Sequence, residues 1–175
     1  MGKMAVFKAS SYTRKANGAK ASVRYIENRP GKDKAKIHRN LWGIDGLMGR
    51  WEAYRMIDEA AKGSYFYRLI INLDPHTEDT HKDLYLREIT EQTMHGVEER
   101  VQTQVQWVAA VHDDHTPLRH MHIVAVLPRR LDRPDLYALI DLTTQAALEQ
   151  RAERDKALAL SRQLQERGKE AEWER

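Results

Sequence analysis

Val105-Gln-Trp-Val-Ala-Ala-Val111-His112-Asp-Asp114-His-Thr-Pro117-Leu-Arg-His120-Met-His122-Ile-Val-Ala-Val126 holds two apolar, β-branched runs separated by a polar turn signal, the pattern of a β-hairpin. Side chains alternate faces along a strand, so His120 and His122 project from one side. His112 closes the first strand, and a hairpin brings it opposite that pair, where cross-strand neighbours lie about 5 Å apart. Three convergent imidazoles with room left for water or a substrate oxygen make an open divalent-metal site, suited to catalysis more than to structural closure. Asp114 is placed either to orient an imidazole through its second nitrogen or simply to build the turn.

Moving outward from the hairpin, Ser64 to Leu73 reads as a central strand, halted by Asp74-Pro75. Asp74 serves there as a strand terminator or as an acid behind a histidine, and the terminator is the stronger reading. Thr80 to Gln102 has the spacing of an amphipathic helix through Leu84, Ile89, Met94, Val97 and Val101. Upstream, Ala5 to Tyr12 predicts a strand and Gly18 to Ile26 a short helix with Asn17 as its cap. Asn28-Arg-Pro30-Gly31 ends that helix. Lys32 to Gly49 is a loop-rich basic arm in which Leu41-Trp42-Gly43 forms a short strand or a flap. Arg50 to Ala61 reads as a helix stopped by Gly63, with Trp51, Tyr54, Tyr65 and Tyr67 assigned to the core. Pro128 to Pro134 reads as a basic loop, Leu136 to Arg167 as a charge-rich helix, and Gly168 as the start of a tail. This order predicts an α/β (α+β) sandwich, a mostly antiparallel central sheet flanked by helices. Residues 1–134 form the main domain, and 135–175 a C-terminal helix that packs on it or leads onward.

A chain of 175 residues that is 41% hydrophobic suits one domain with a proper core. It has no cysteine, which excludes disulfides, thiolate metal sites and a cysteine nucleophile. No apolar stretch approaches the ~18 residues that span a bilayer, and the N-terminus lacks the apolar core of a secretory signal. The expectation is a soluble, cytoplasmic protein with no membrane insertion. The net charge of +3 conceals an asymmetry: residues 1–40 hold eleven Lys/Arg and two acids, leaving the rest of the chain net acidic. A charge run alone is more often a solvated tail, but this basic segment carries a strand and a patterned helix, which weakens that reading and leaves room for phosphate-backbone binding.

The remaining histidines, His38, His76, His81, His95 and His115, stand singly and read as structural or exposed. A water-activating metal enzyme needs a general base near the three clustered histidines. A phosphoryl-transfer enzyme needs a nucleophile, and the basic N-terminal helix offers Tyr25. Tyr12 lies in the same region but at a strand end.

His112-x-Asp114 followed by His120-Met-His122-Ile-Val resembles the metal motif of HUH endonucleases, in particular mobilisation-type conjugative relaxases of the MobA/VirD-like branch. Val23-Arg24-Tyr25-Ile26-Glu-Asn-Arg29 is similar to that family's N-terminal tyrosine helix, and the likeness runs from about Ala5 to Pro128. The resemblance implies an HUH, ferredoxin-like relaxase domain in which His112, His120 and His122 hold Mg²⁺ or Mn²⁺ at the scissile phosphate of an origin of transfer. Tyr25 would attack in line, leaving a 3′-hydroxyl and a 5′-phosphotyrosyl DNA that the same site can later rejoin. It also implies accessory relaxosome proteins and a coupling protein as partners. Phenols ionise near pH ~10 and are weak nucleophiles at neutrality, so a cation that stabilises charge developing on the phosphate lowers the barrier. Arg14, Lys15, Lys20, Arg24, Arg29, Arg129 and Arg130 are the candidate DNA-backbone contacts, and Trp42 or Trp51 is the candidate for stacking on an unpaired base, a core role being the stronger reading for Trp51. Two other functions fit parts of the pattern: a His-triad metal hydrolase, and a non-catalytic nucleic-acid-binding module on a ferredoxin-like sheet.

Overall fold

A computed structural model describes residues 6–31, 33–113 and 118–173. Six strands, β1 (Val6–Thr13), β2 (Leu41–Gly43), β3 (Gly46–Met48), β4 (Tyr65–Asn72), β5 (Gln106–His112) and β6 (His120–Leu127), form one sheet in the order β1-β4-β6-β5-β2-β3. Every pairing is antiparallel. Four helices, α1 (Ala16–Asn28), α2 (Arg50–Asp58), α3 (Leu86–Val101) and α4 (Arg133–Trp173), complete the α+β sandwich. No helix among the described residues is long and apolar enough to cross a membrane.

Period-two alternation divides the core into two layers. On one face of the sheet, Leu69, Ile71, Trp107, Ala109, Met121 and Ile123 pack under α3 and α4, which contribute Ile89, Met94, Val97, Leu139 and Ala147. On the other, Phe66, Val108, Ala110 and Val124 meet Ala19, Val23 and Ile26 of α1 and Ala53 and Ile57 of α2. Strands β4, β5 and β6 are apolar on both faces because helices cover both. The three clustered histidines share the α1 face, since His112 lies two residues beyond Ala110 and His122 two before Val124.

Several boundaries differ from expectation, each for a local reason. Helix α1 begins at Ala16 after Lys15, not behind Asn17, and no side chain caps it. Helix α3 starts at Leu86 rather than Thr80 because Asp79 organises the preceding segment. Its Oδ1 accepts the Leu84 N–H, and Arg119 donates two hydrogen bonds to its carboxylate. Lys82 takes a left-handed backbone there, at φ 54°. Helix α4 starts three residues early, because Asp132 and Asp135 cap it reciprocally through each other's N–H groups. Pro134 is tolerated in that first turn, where its missing N–H costs nothing. The backbone of α4 also continues through Gly168 to Trp173, where a fraying tail is predicted. Through Arg151, α4 is part of the body of the fold: its Thr143 hydroxyl meets Thr93 of α3 at 3.1 Å, and Arg151 pairs with Asp83.

The basic arm closes into a hairpin, β2–β3, whose turn ends at Gly46 with φ 113°, a backbone that glycine adopts without steric cost. Strand β2 joins the main sheet through Trp42 opposite Ala109. That pairing reverses the expected roles of two indoles. Trp42, a stacking candidate, is 7% exposed in the core, whereas Trp51, for which the core is the stronger reading from sequence, is 80% exposed.

Candidate metal centre

His112 faces His120 directly across the β5–β6 ladder, and His122, opposite Ala110, lies on the diagonal. The ring centroids stand 5.4 Å apart for His112–His120, 4.4 Å for His112–His122 and 5.0 Å for His120–His122. One nitrogen of each ring lies within 4.8 Å of the other two, and all three residues are buried. Among the described residues, this is the one group of three or more His, Cys, Asp or Glu side chains close enough to hold an ion.

Hydrogen bonding determines which nitrogens can act as ligands. His112 Nε2 lies 2.7 Å from the carbonyl oxygen of Ile26. A carbonyl only accepts, so Nε2 carries the hydrogen and the lone pair sits on Nδ1. His112 Nδ1 is buried and has no hydrogen-bond partner, and His122 Nε2 is in the same state. Nδ1 of His120 lies 3.3 Å from the Leu118 carbonyl, which favours a lone pair on Nε2. Buried polar atoms normally find partners, and two orphaned imidazole nitrogens converging on one cluster are what a cation would satisfy. The donor set is borderline in softness and suits Mn²⁺, Zn²⁺ and similar ions, with oxygen ligands completing the shell.

Burial keeps the His112 and His122 rings neutral. Desolvation is the main reason that His112 is pulled down to about 4, partly opposed by its bond to Ile26 and reinforced by the charges of Arg39, His120 and Arg29. Desolvation also leads for His122, which falls to about 3, followed by the other two histidines, Arg29 and Arg68. Near neutral pH their lone pairs are therefore available to a metal.

Tyr25 reaches this cluster from α1. Its ring meets that of His122 edge-on, with centroids 5.9 Å apart, and the residue is 38% exposed. The helix places it there because Ile26, the next residue, is buried against the sheet, leaving Tyr25 on the rim between core and solvent. Two guanidinium groups flank the phenol: Arg68 at 5.4 Å and Arg29 at 5.7 Å from the ring centroid. Tyr12 does not join this group. It pairs with Tyr67, which is opposite Ala125, three residues past His122, or about 10 Å along the strand, and two strands away.

The remaining candidate residues are spread across the molecule. Arg14 donates to the Gly63 carbonyl and lies over Tyr65, while Lys15 precedes α1. Arg129 is held by Asp135 and by the Arg100 carbonyl, and Arg130 sits over Tyr12. These four gather at the end of the sheet remote from the histidines. Lys20 pairs with Asp58, and Arg24 bonds the Tyr54 hydroxyl. Of the seven cationic candidates, Arg29 is the one beside the phenol. Asp114 lies outside the described residues. Asp74 acts as a terminator, its Oδ1 accepting the His76 N–H and its own N–H donating to Glu78.

Arg68 and Arg39 are functional candidates that sequence reading missed. Strand alternation offered a signal for Arg68: it shares a face with Ile70, the cross-strand partner of His122. Arg39 had no such signal. It comes to the site because Glu27 and Arg29 on the helix end hold it, their carbonyls accepting its N–H and its guanidinium.

Comparison of the chain with protein-family models, with curated proteins and with solved structures gives no match.

Proposed function

We propose that this protein is a metal-dependent enzyme that nicks and rejoins one DNA strand through a covalent tyrosyl intermediate, as a relaxase does at an origin of transfer. The observation that carries this reading is the Tyr25 ring 5.9 Å from that of His122, with Arg29 and Arg68 beside it. A hydrolase that only activates water has no need of a phenol fixed against its ligand cluster.

His112, His120 and His122 would hold a divalent ion, which would supply Lewis-acid charge at the scissile phosphate. Everything else comes from the chain. Arg29 and Arg68 bind the phosphate and offset charge that builds on its equatorial oxygens. The Tyr25 hydroxyl oxygen attacks phosphorus, the new P–O bond forms, and the P–O3′ bond opposite it breaks. The phenol's proton leaves to water, to which this rim position is open, and the departing 3′ oxygen takes one up. One phosphodiester replaces another, so the step conserves bond energy and is reversible. The basic N-terminal segment supports strand capture; the resemblance implies Mg²⁺ or Mn²⁺, and of the two Mn²⁺ is the better match to three imidazoles.

The test is a covalent-capture assay. Mn²⁺ and a pool of random single-stranded oligonucleotides should give a protein–DNA species that survives denaturing gel electrophoresis. Tyr25→Phe should abolish it, as should a chelator. Metal-dependent cleavage that persists in Tyr25→Phe without any adduct would instead favour the His-triad hydrolase.

A further inference from the structure

Trp51 breaks the rule that α2 otherwise follows. Ala53 and Ile57 turn into the core, but Trp51, in the first helical turn, leaves its indole 80% exposed. It is not alone on that surface. Tyr54, one turn along, meets it edge-on with centroids 5.5 Å apart. Residues of α1 fix Tyr54 in turn: Arg24 donates to its hydroxyl at 3.3 Å, and the Lys20 ammonium lies 5.5 Å from its ring centroid. Lys20 is already paired with Asp58, which leaves Arg24 as the cation of the patch that no carboxylate holds among the described ion pairs. The result is an aromatic shelf edged by a guanidinium.

An exposed single apolar side chain is ordinary. An exposed indole set against a second ring, which an arginine holds by its hydroxyl, has the composition of surfaces on which unpaired bases stack while the backbone meets positive charge. Its placement is specific as well. Arg24 immediately precedes Tyr25 on α1, so neighbouring residues of one helix carry the edge of the shelf and the phenol. That shared stretch of helix is the ground for assigning the shelf to strand that flanks the phosphate at Tyr25.

We propose that Trp51, supported by Tyr54 and Arg24, is a stacking platform for an unpaired base of single-stranded DNA flanking the phosphate at Tyr25. The identity of the strand rests on the nicking reading above; the stacking itself does not. Duplex DNA is a poor occupant, because its bases are already stacked.

Binding without chemistry separates the two. Metal-free Tyr25→Phe protein is titrated with oligo(dT), following intrinsic tryptophan emission and the anisotropy of a labelled strand. The platform requires quenching that disappears in the Trp51→Ala version, with affinity about tenfold weaker or more. Trp51→Phe, which keeps a smaller ring, should fall between. Unchanged affinity in Trp51→Ala, absence of oligo(dT) binding, or equal quenching by duplex would each overturn the platform. Failure of the nicking reading looks different: no covalent adduct ever forms, yet Trp51→Ala still weakens strand binding.

Discussion

The imidazole of His112 donates from Nε2 to the main-chain carbonyl of Ile26 at 2.7 Å, joining a metal-ligand candidate in the sheet to the helix that carries Tyr25. Ile26 is the residue after Tyr25, so the bond that fixes the His112 tautomer also fixes the phenol's turn of helix. Outer hydrogen bonds of this kind orient ligand rings and raise their basicity. Here the same bond sets how far the phenol stands from the cluster.

Metal binding should show as thermal stabilisation. An ion that binds only the folded chain adds about 2.7 kcal/mol at a hundredfold excess over its Kd, several degrees in Tm for a domain of this size. Differential scanning fluorimetry with Mn²⁺ should show the shift in the parent protein and lose it in His122→Ala. An equal shift in His122→Ala would place the ion elsewhere.

Acid should weaken the metal-free protein earlier than its carboxylates explain. His112 and His122 titrate at about 4 and about 3 when folded, against an ordinary 6.5. Between those values the unfolded chain holds more protons at both sites, so stability rises with pH across that window and is lost as pH falls from about 6.5. The slope approaches about 1.4 kcal/mol per pH unit for each proton of difference. Urea melts near pH ~7 and pH ~5 should differ for the parent chain. They should differ less for a His112→Gln, His122→Gln double variant.

Arg68 should matter to the phosphate more than to the fold. Arg68→Gln is expected to slow adduct formation at least tenfold and to reduce the salt dependence of strand binding by about one ion, the signature of one lost phosphate contact. Its melting temperature should stay close to that of the parent. An unchanged salt slope would remove Arg68 from the site.

Asp135 should prove structural. Its carboxylate, buried at the start of α4, accepts from Arg100, Arg129 and the Asp132 N–H, and the Arg129 hydrogen bond is the main cause holding its pKa well below the usual carboxylate range. Asp135→Ala removes a helix cap and the anchor for two partly exposed guanidiniums, a loss of roughly 2 kcal/mol. Equilibrium denaturation reads this directly, and metal binding should survive.

Much of the sheet was legible because strand periodicity is local. The alternation from Val105 to Val126 placed His112, His120 and His122 on one face, and the apolar run before Asp74 marked β4. What escaped was long-range. Nothing near Thr80 announces that Asp79 and Arg119 will hold residues 80–85 out of a helix, because that pair is distant in sequence. Trp42 and Trp51 exchanged roles because a three-residue strand gains burial by joining β5, while the helical spacing around Trp51 marks Ala53 and Ile57 equally well. The positive charge at the phenol was foreseen in Arg29 alone. Arg68 comes from a strand that reads as apolar, and Arg14, Lys15, Arg129 and Arg130 fall at the far end of the sheet.

Peptide mapping of the captured species identifies the nucleophile. Trypsin passes the Arg29–Pro30 bond, so Tyr25 should emerge in the peptide from Tyr25 to Lys32. Attack by Tyr25 requires that peptide, from a reaction run with Mn²⁺, to carry the mass of a 5′-phosphorylated nucleotide on the tyrosine. A nucleotide on any other peptide, or cleaved DNA with the Tyr25 peptide unmodified, would contradict it.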